Sequence, residues 1–574
     1  MRNRIKGTWV KQILSCGFGL LAAGYVGQGL EEFDFRDIAG QSGLTFTNTS
    51  GQLGRKDYIL ESTGCGVAVL DYDRDGKRDL FFVNASRLEP FPPDQEPTNH
   101  LYRNVGDGRF VDVTSSAGLT RSGWGQGVCA ADYDNDGYED LFVTYYGSNV
   151  LYRNNGDGTF RDATGGAGLP VSGTRWGTGA AFLDYDRDGR LDLFVANYVD
   201  FDVKSTPQRG EKEFCTWRGV PVFCGPRGLP GGSNVLYHGK ADGTFVDVTR
   251  ESGIRMPKGY YAFGAVVSDF DNDGLADIYV ACDSTPNILY RNQGDGTFKD
   301  TAVLSGVAYN ADGNLQAGMG VAAADYDNDG HFDLFKTNFS EDLSTLYHND
   351  GRGLFSDVTL RTGIAKNNRY LGWGTVFGDF DNDGWKDIAV ANGHIYPEAD
   401  QVGGNMAYAQ PMLLYRNQGR GRFIDVSKKA GPGFEEKRLA RGLALGDFDN
   451  DGNLELVVNN MNQPPTLLRQ SRSRGNSILI QTVGTQSNRD GIGARVSITV
   501  NGLTQMDEVR SGGSYLSHSD LRLHFGVGDS TKIDGLRVIW PSGREEVIAA
   551  VPVNHLIVLK EGAGISEKVP LLRP

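Results

Sequence analysis

The apolar residues of this chain fall in short runs bounded by glycine, aspartate and asparagine, as in GVAVLD and DLFFVN between residues 66 and 84. Runs of that length, rich in β-branched and aromatic side chains and closed by turn residues, predict strands rather than helices. The same order of runs recurs about every fifty residues, a period that signals a solenoid, propeller or array. Each unit opens on a glycine (Gly66, Gly127, Gly179, Gly264, Gly320, Gly374 or Gly442) and a short apolar strand. A polar loop and a second strand such as DLFVAN come next. A third run reads LYRN, LYHG or LYHN, then a turn such as G-D-G, then F-x-D. Residues 101–114, 151–164, 236–249, 289–301, 346–359 and 414–427 are six copies of that hairpin. Glycine-containing turns suit hairpin loops of three to five residues. Four antiparallel strands per unit describe a propeller blade.

The seventh hairpin is divided. Its third strand is TLLRQ at residues 466–470, with no F-x-D run behind it, and the missing strand matches FRDIA at residues 35–39. An N-terminal strand completing the last sheet would close the ring and remove an exposed edge. The expectation is an all-β chain: a seven-bladed β-propeller over 35–470, closed by an N-terminal strand. A small β-rich domain over 476–561 and a tail at 562–574 follow. Strand parity places the polar loops on one face of the propeller. It places the long insertions at 84–99, 198–233 and 392–410 on the other, and long loops on a rigid scaffold are where binding residues concentrate.

The polar loops carry the clearest chemistry. Each reads D-h-D-x-D-G-x-x-D/E, with Tyr or Phe at h. Their acidic positions are Asp71, Asp73, Asp75 and Asp79; Asp132, Asp134, Asp136 and Asp140; Asp184, Asp186, Asp188 and Asp192; and Asp269, Asp271, Asp273 and Asp277. Asp325, Asp327, Asp329 and Asp333; Asp379, Asp381, Asp383 and Asp387; and Asp447, Asp449, Asp451 and Glu455 complete the set. A hard cation such as Ca²⁺ takes six to eight oxygens at about 2.3–2.6 Å. Alternate residues of a tight loop can aim three carboxylates inward, and the glycine at position 6 turns the chain back. An EF-hand is excluded, because position 12 of the first loop is Phe82 and the flanks read as strands. The expectation is Ca²⁺ at up to seven sites.

Composition follows from those loops. The formal charge is −15, yet 28 of the 72 acidic side chains are loop ligands, so seven Ca²⁺ would bring the chain close to neutral. The acidity is therefore poor evidence for a cationic partner. No basic stripe of the kind that binds nucleic acid is present. Residues 1–24 combine a basic start with an apolar stretch and small residues, the form of a secretory signal or an uncleaved anchor. They place the protein outside the cell, in the periplasm or on the cell surface. In that setting Cys215 and Cys224, in CTWRGVPVFC, predict a loop-closing disulfide.

In the C-terminal part, NRDGIGARV (488–496), SGGSYLS (511–517), LHFGVG (523–528) and VIWPSG (538–543) resemble the signature of the ASPIC/UnbV domain. The repeats in front resemble the FG-GAP/VCBS-type repeats of integrin α-subunits and of the cartilage acidic protein family. The resemblance implies secreted proteins with interaction or adhesion roles, and calcium on the loop carboxylates. On the loop-rich face, Arg121, Trp124, Arg175, Trp176, Tyr260, Arg369, Trp373, His394 and Arg441 are the candidate ligand residues. If they converge on the channel mouth, they offer stacking surfaces and charge to a protein or an acidic glycan. The alternative is an extracellular polysaccharide lyase or hydrolase with His394 in an acid–base role. No catalytic constellation supports it: G-x-S-x-G, H-E-x-x-H and phosphate loops are absent from the sequence.

Overall fold

A computed structural model describes residues 33–573 except 93, 256, 404, 405, 473, 474 and 550; the expected signal lies outside the described residues. The apolar runs form strands, and the strands pair in antiparallel fours. The first four are Val67–Leu70, Asp79–Phe82, His100–Gly106 and Arg109–Asp112. Six such units follow one another along the chain, and the second and third are bridged where Arg175 and Trp176 pair with Gly147 and Tyr146. The last unit, Ala440–Gly446, Glu455–Asn460 and Thr466–Gln470, takes its fourth strand from Phe35–Asp37. Phe35 pairs with Gln470 and Asp37 with Leu468. The N-terminal strand therefore closes the last sheet, as the split hairpin predicted.

The recurring glycine before each loop has a packing reason. A Cβ on Gly320 would lie 2.1 Å from the carbonyl oxygen of Trp373, and one on Gly264 would lie 2.4 Å from that of Met319. Inner strands of adjacent units approach too closely for any side chain there. Between the members of the inner hairpins the register slips, for example between Gly318 and Val321. The slip frees backbone N–H groups toward the channel.

The C-terminal domain consists of two four-stranded sheets. One carries Asn476–Val483 in parallel with His555–Lys560, and the other is centred on Arg495–Val500 and Gly535–Ile539. Residues expected as a tail instead supply a strand, Gly564–Pro570, which pairs with His555–Lys560. Ile478, Val496, Phe525, Val538 and Trp540 form its core, continuous with Phe182 and Leu193 of the propeller.

This domain sits on the face that carries the acidic loops, and it reaches inside. The SGGSYLS segment enters the channel. Val128 N–H donates to the Leu516 carbonyl at 3.1 Å, Val321 N–H to that of Ser514 at 2.9 Å, and Thr375 N–H to Ser514 Oγ at 3.0 Å. Tyr515 is fully buried, its hydroxyl on the Thr63 carbonyl and its ring 4.7 Å from Trp373. The channel is filled by side chains of the second domain.

Candidate functional site

All seven acidic loops fold alike. The first aspartate accepts two backbone N–H bonds, from positions 5 and 6; in the first loop Asp75 and Gly76 donate to Asp71 at 3.0 Å each. The fifth accepts the N–H of position 7, as Lys77 donates to Asp75. The ninth accepts the N–H of position 2, as Tyr72 donates to Asp79 at 3.2 Å. Position 4 is left-handed in every copy, from φ 57° at Asn450 to 60° at Asn135 and Asn272. That turn sends the position-4 side chain to the next loop. Asn135 donates to the Gly189 carbonyl, Asn272 to Gly330, Asn328 to Gly384, Asn382 to Gly452, and Asn450 to Gly76. Arg187 reaches the Gly274 carbonyl in the same way. Neighbouring loops are thus tied along the ring, including the last to the first.

A basic residue of the third strand lies over the outer carboxylates of each loop. Arg103 pairs with Asp73 at 2.6 Å, Arg416 with Asp381 at 2.7 Å, and Arg153, Arg291 and Arg469 take the same place. His238 and His348 replace the arginine in the third and fifth units and bond Asp192 and Asp333 at 2.9 and 3.2 Å.

The donor set fits a hard cation. Several groups of three carboxylates place their oxygens within 4.8 Å of one another, among them Asp71, Asp73 and Asp75, and Asp132, Asp134 and Asp140. Despite the basic neighbours, one buried oxygen on each of Asp73, Asp134, Asp327 and Glu455 has no hydrogen-bond partner. Orphaned buried acceptors cost free energy unless something pairs with them. Burial pushes Asp325 up to about 8 and Asp184 to about 7, and the carboxylates beside them add to both shifts. Asp79, Asp140 and Asp277 are held well above the usual carboxylate range by the same two causes. Such a cluster needs positive charge, and a divalent ion bound by positions 1, 3, 5 and 9 would supply it.

The second domain engages these loops directly. Asp490 and Arg495, both within NRDGIGARV, dock on the propeller. Asp490 Oδ2 accepts the Asp132 N–H at 2.7 Å, while Arg495 donates to Asp269 Oδ2 at 2.8 Å and Asn272 Oδ1 at 2.7 Å. Arg522 donates to the Asp447 carbonyl at 2.7 Å and to Asn450 Oδ1 at 2.6 Å.

On the opposite face the candidate ligand residues divide between a buried group and separate positions at the rim. Trp176, Trp373, His394 and Arg441 are buried. Arg441 stacks 4.1 Å over Trp373 and donates to the Ser62 carbonyl at 2.9 Å. His394 Nδ1 accepts the Tyr396 N–H at 3.1 Å, and burial, with Arg441 nearby, pushes the imidazole down to about 3. Their apolar surface outweighed their polar ends, and they became the inner wall. Arg175 and Arg369 are exposed, Arg121 and Tyr260 are half-buried, and the half-buried Trp124 packs against the cluster that holds Trp176 and Trp373. Arg121 lies 4.7 Å over Tyr145 and Arg369 4.8 Å over Tyr370.

Two features escaped the sequence reading. The asparagine of LYRN staples adjacent units: Asn349 Nδ2 donates to the Phe270 carbonyl at 2.8 Å and to that of Phe332 at 3.0 Å. Asn104, Asn154, Asn292 and Asn417 do the same, and its repetition was the available signal. The disulfide, formed as expected between Cys215 and Cys224, stiffens an arm that lays Trp217 across the mouth. The Trp217 ring lies 4.7 Å from His394 and 5.5 Å from Tyr396.

Comparison with known proteins agrees with this architecture. The FG-GAP-like repeat family matches residues 71–143, 132–195, 222–280 and 269–335, and the ASPIC and UnbV family matches 484–566. The chain carries FG-GAP-like repeats and an ASPIC and UnbV domain. This FG-GAP chain is 26% identical to cartilage acidic protein 1 of Xenopus tropicalis over 527 residues, 87% of this chain and 74% of that protein. It is likewise 26% identical to the Mus musculus protein of that name over 553 residues, 89% of this chain and 76% of the other. Among solved structures, the Dos1 propeller aligns at a TM-score of 0.36 and 9% identity, covering 74% of this chain and 93% of that one. No helix among the described residues is long and apolar enough to cross a membrane.

Proposed function

We propose that this protein is an extracellular, calcium-stabilised interaction or adhesion module that binds a protein or glycan on the face opposite its calcium loops. One observation carries the reading. The second domain covers the face of the acidic loops and fills the channel, with Arg495 on Asp269 and Tyr515 against Trp373. The insertions and the exposed Arg175 and Arg369 therefore lie on the face left to a partner. The similarity to cartilage acidic protein 1 and the signal expected at residues 1–24 support secretion, to the periplasm, the cell surface or beyond. The contacts favour a binding module over an enzyme acting on a polysaccharide. His394 is buried, accepts the Tyr396 N–H and is pushed down to about 3, so it stands as a neutral structural group.

The test is binding of the calcium-loaded protein to arrays of extracellular proteins and of neutral and acidic glycans. A variant with Arg121, Arg175 and Arg369 all changed to Glu is expected to lose about tenfold or more in affinity, because rim charges steer and orient a partner. Arg537→Glu, an exposed change on the second domain, is expected to bind normally. Loss with Arg537→Glu and not with the triple variant would overturn the assignment of faces.

A further inference from the structure

The mouth of the channel holds a cavity of about 400 Å³, within the range of small-molecule sites. Its floor is closed, because Tyr515 of the second domain packs against Trp373 and Phe263 at 4.7 and 5.7 Å. Its wall is aromatic: Trp217, Phe214, Tyr198, Phe339 and Tyr396 line it. The disulfide-closed arm brings Trp217 there from the third unit, and the ring rests on Tyr396 of the sixth. At the rim, Phe214 and Leu315 remain 46% and 42% exposed.

Three charged groups share this aromatic wall. Asp283 accepts the Tyr198 hydroxyl at 2.6 Å and the Ser284 hydroxyl at 2.9 Å, which fixes its carboxylate at the edge of the cavity. Asp342 lines the cavity half-buried. Arg227 also lines it, exposed and without an ion pair among the described residues. Two carboxylates oppose an anion, and the guanidinium opposes a cation. A neutral polyol satisfies both: its hydroxyls donate to the carboxylates and accept from the arginine, while its C–H face lies on an aromatic ring. Indole and phenol rings offer large rigid contact area at low entropic cost.

We infer that this blind cavity is a saccharide-binding site, with Trp217 as its stacking platform and Asp283, Asp342 and Arg227 as its hydroxyl partners. The site rests on the module reading above and specifies its ligand. The second domain contributes to it without touching the sugar, since Tyr515 lies behind Trp373 and Phe263, which line the cavity.

The experiment uses the calcium-loaded full chain and a panel of galactose, N-acetylglucosamine, glucuronic acid and lactose, read by tryptophan fluorescence and ligand-observed NMR. At least one neutral saccharide is expected to bind. Asp342→Asn is expected to weaken it about tenfold, as loss of a charge-assisted hydrogen bond does, and Trp217→Ala to abolish it. Absence of binding by every member of the panel, or binding unchanged in both variants, would overturn the site. Array binding that survives Trp217→Ala and Asp342→Asn but fails in the triple arginine variant would overturn the cavity alone and leave the module reading standing.

Discussion

Lys336 shows how far a single residue can depart from its strand. In the second strand of the fifth unit, DLFKTN, it fills the position that Val or Phe occupies in the others. The side chain is fully buried, and among the described residues its ammonium bonds neutral oxygens, Asn338 Oδ1 at 2.6 Å and Gln316 Oε1 at 3.1 Å. Burial pushes it down to about 7 from its usual 10.5. Between those values the unfolded chain holds a proton that the folded one releases, so stability rises with pH through that window by about 1.4 kcal/mol per unit. Lys336→Met is expected to be more stable than wild type at pH 7, and the gap should narrow as pH climbs to 10. Denaturant melts at several pH values check this, and a constant gap would contradict it. At this scale the sequence was an uneven guide. The loop aspartates were legible because seven copies share one spacing. The burial of Trp176, Trp373 and Arg441 was not legible, because an aromatic or basic residue in a connector reads the same whether it faces solvent or the channel wall.

At the scale of elements, the strands and the closing N-terminal strand were legible for a physical reason. Strands buried along their whole length, such as Val67–Leu70 and Asp192–Asn197, read as continuous apolar runs, and the orphan strand at each end had one partner left. The staples between units were not legible, since an asparagine at a strand end also reads as an ordinary turn residue. Asn349 tests their weight. Its side chain satisfies the carbonyls of Phe270 in one unit and Phe332 in the next, both buried. Asn349→Ala leaves two buried acceptors unpaired and is expected to cost about 2–4 kcal/mol. Ser356→Ala, a half-buried change on the neighbouring strand that loses one hydrogen bond to Asp350, should cost only about 1 kcal/mol. Equal effects by chemical denaturation would show that the asparagine is no staple.

At the scale of the whole molecule, the two domains form one structure. The second domain caps the face of the acidic loops, Arg495 and Arg522 reach the fourth and seventh loops, and SGGSYLS fills the channel. Nothing in the local pattern of SGGSYLS announces this, because its small residues suit a turn as well as a plug. Because the loops are tied side chain to carbonyl, an ion bound in one loop would stiffen the next. Calcium is therefore expected to support the ring and the docking of the second domain together, and each site filled at a hundredfold excess over its Kd adds about 2.7 kcal/mol.

The most direct test is the calcium content of the purified chain, by mass spectrometry after dialysis, paired with thermal melts in calcium and in chelator. Bound calcium is expected to approach seven ions per chain, with a large fall in Tm once the metal is removed. A chain that holds no calcium at millimolar free ion, and melts at the same temperature in chelator, would contradict it.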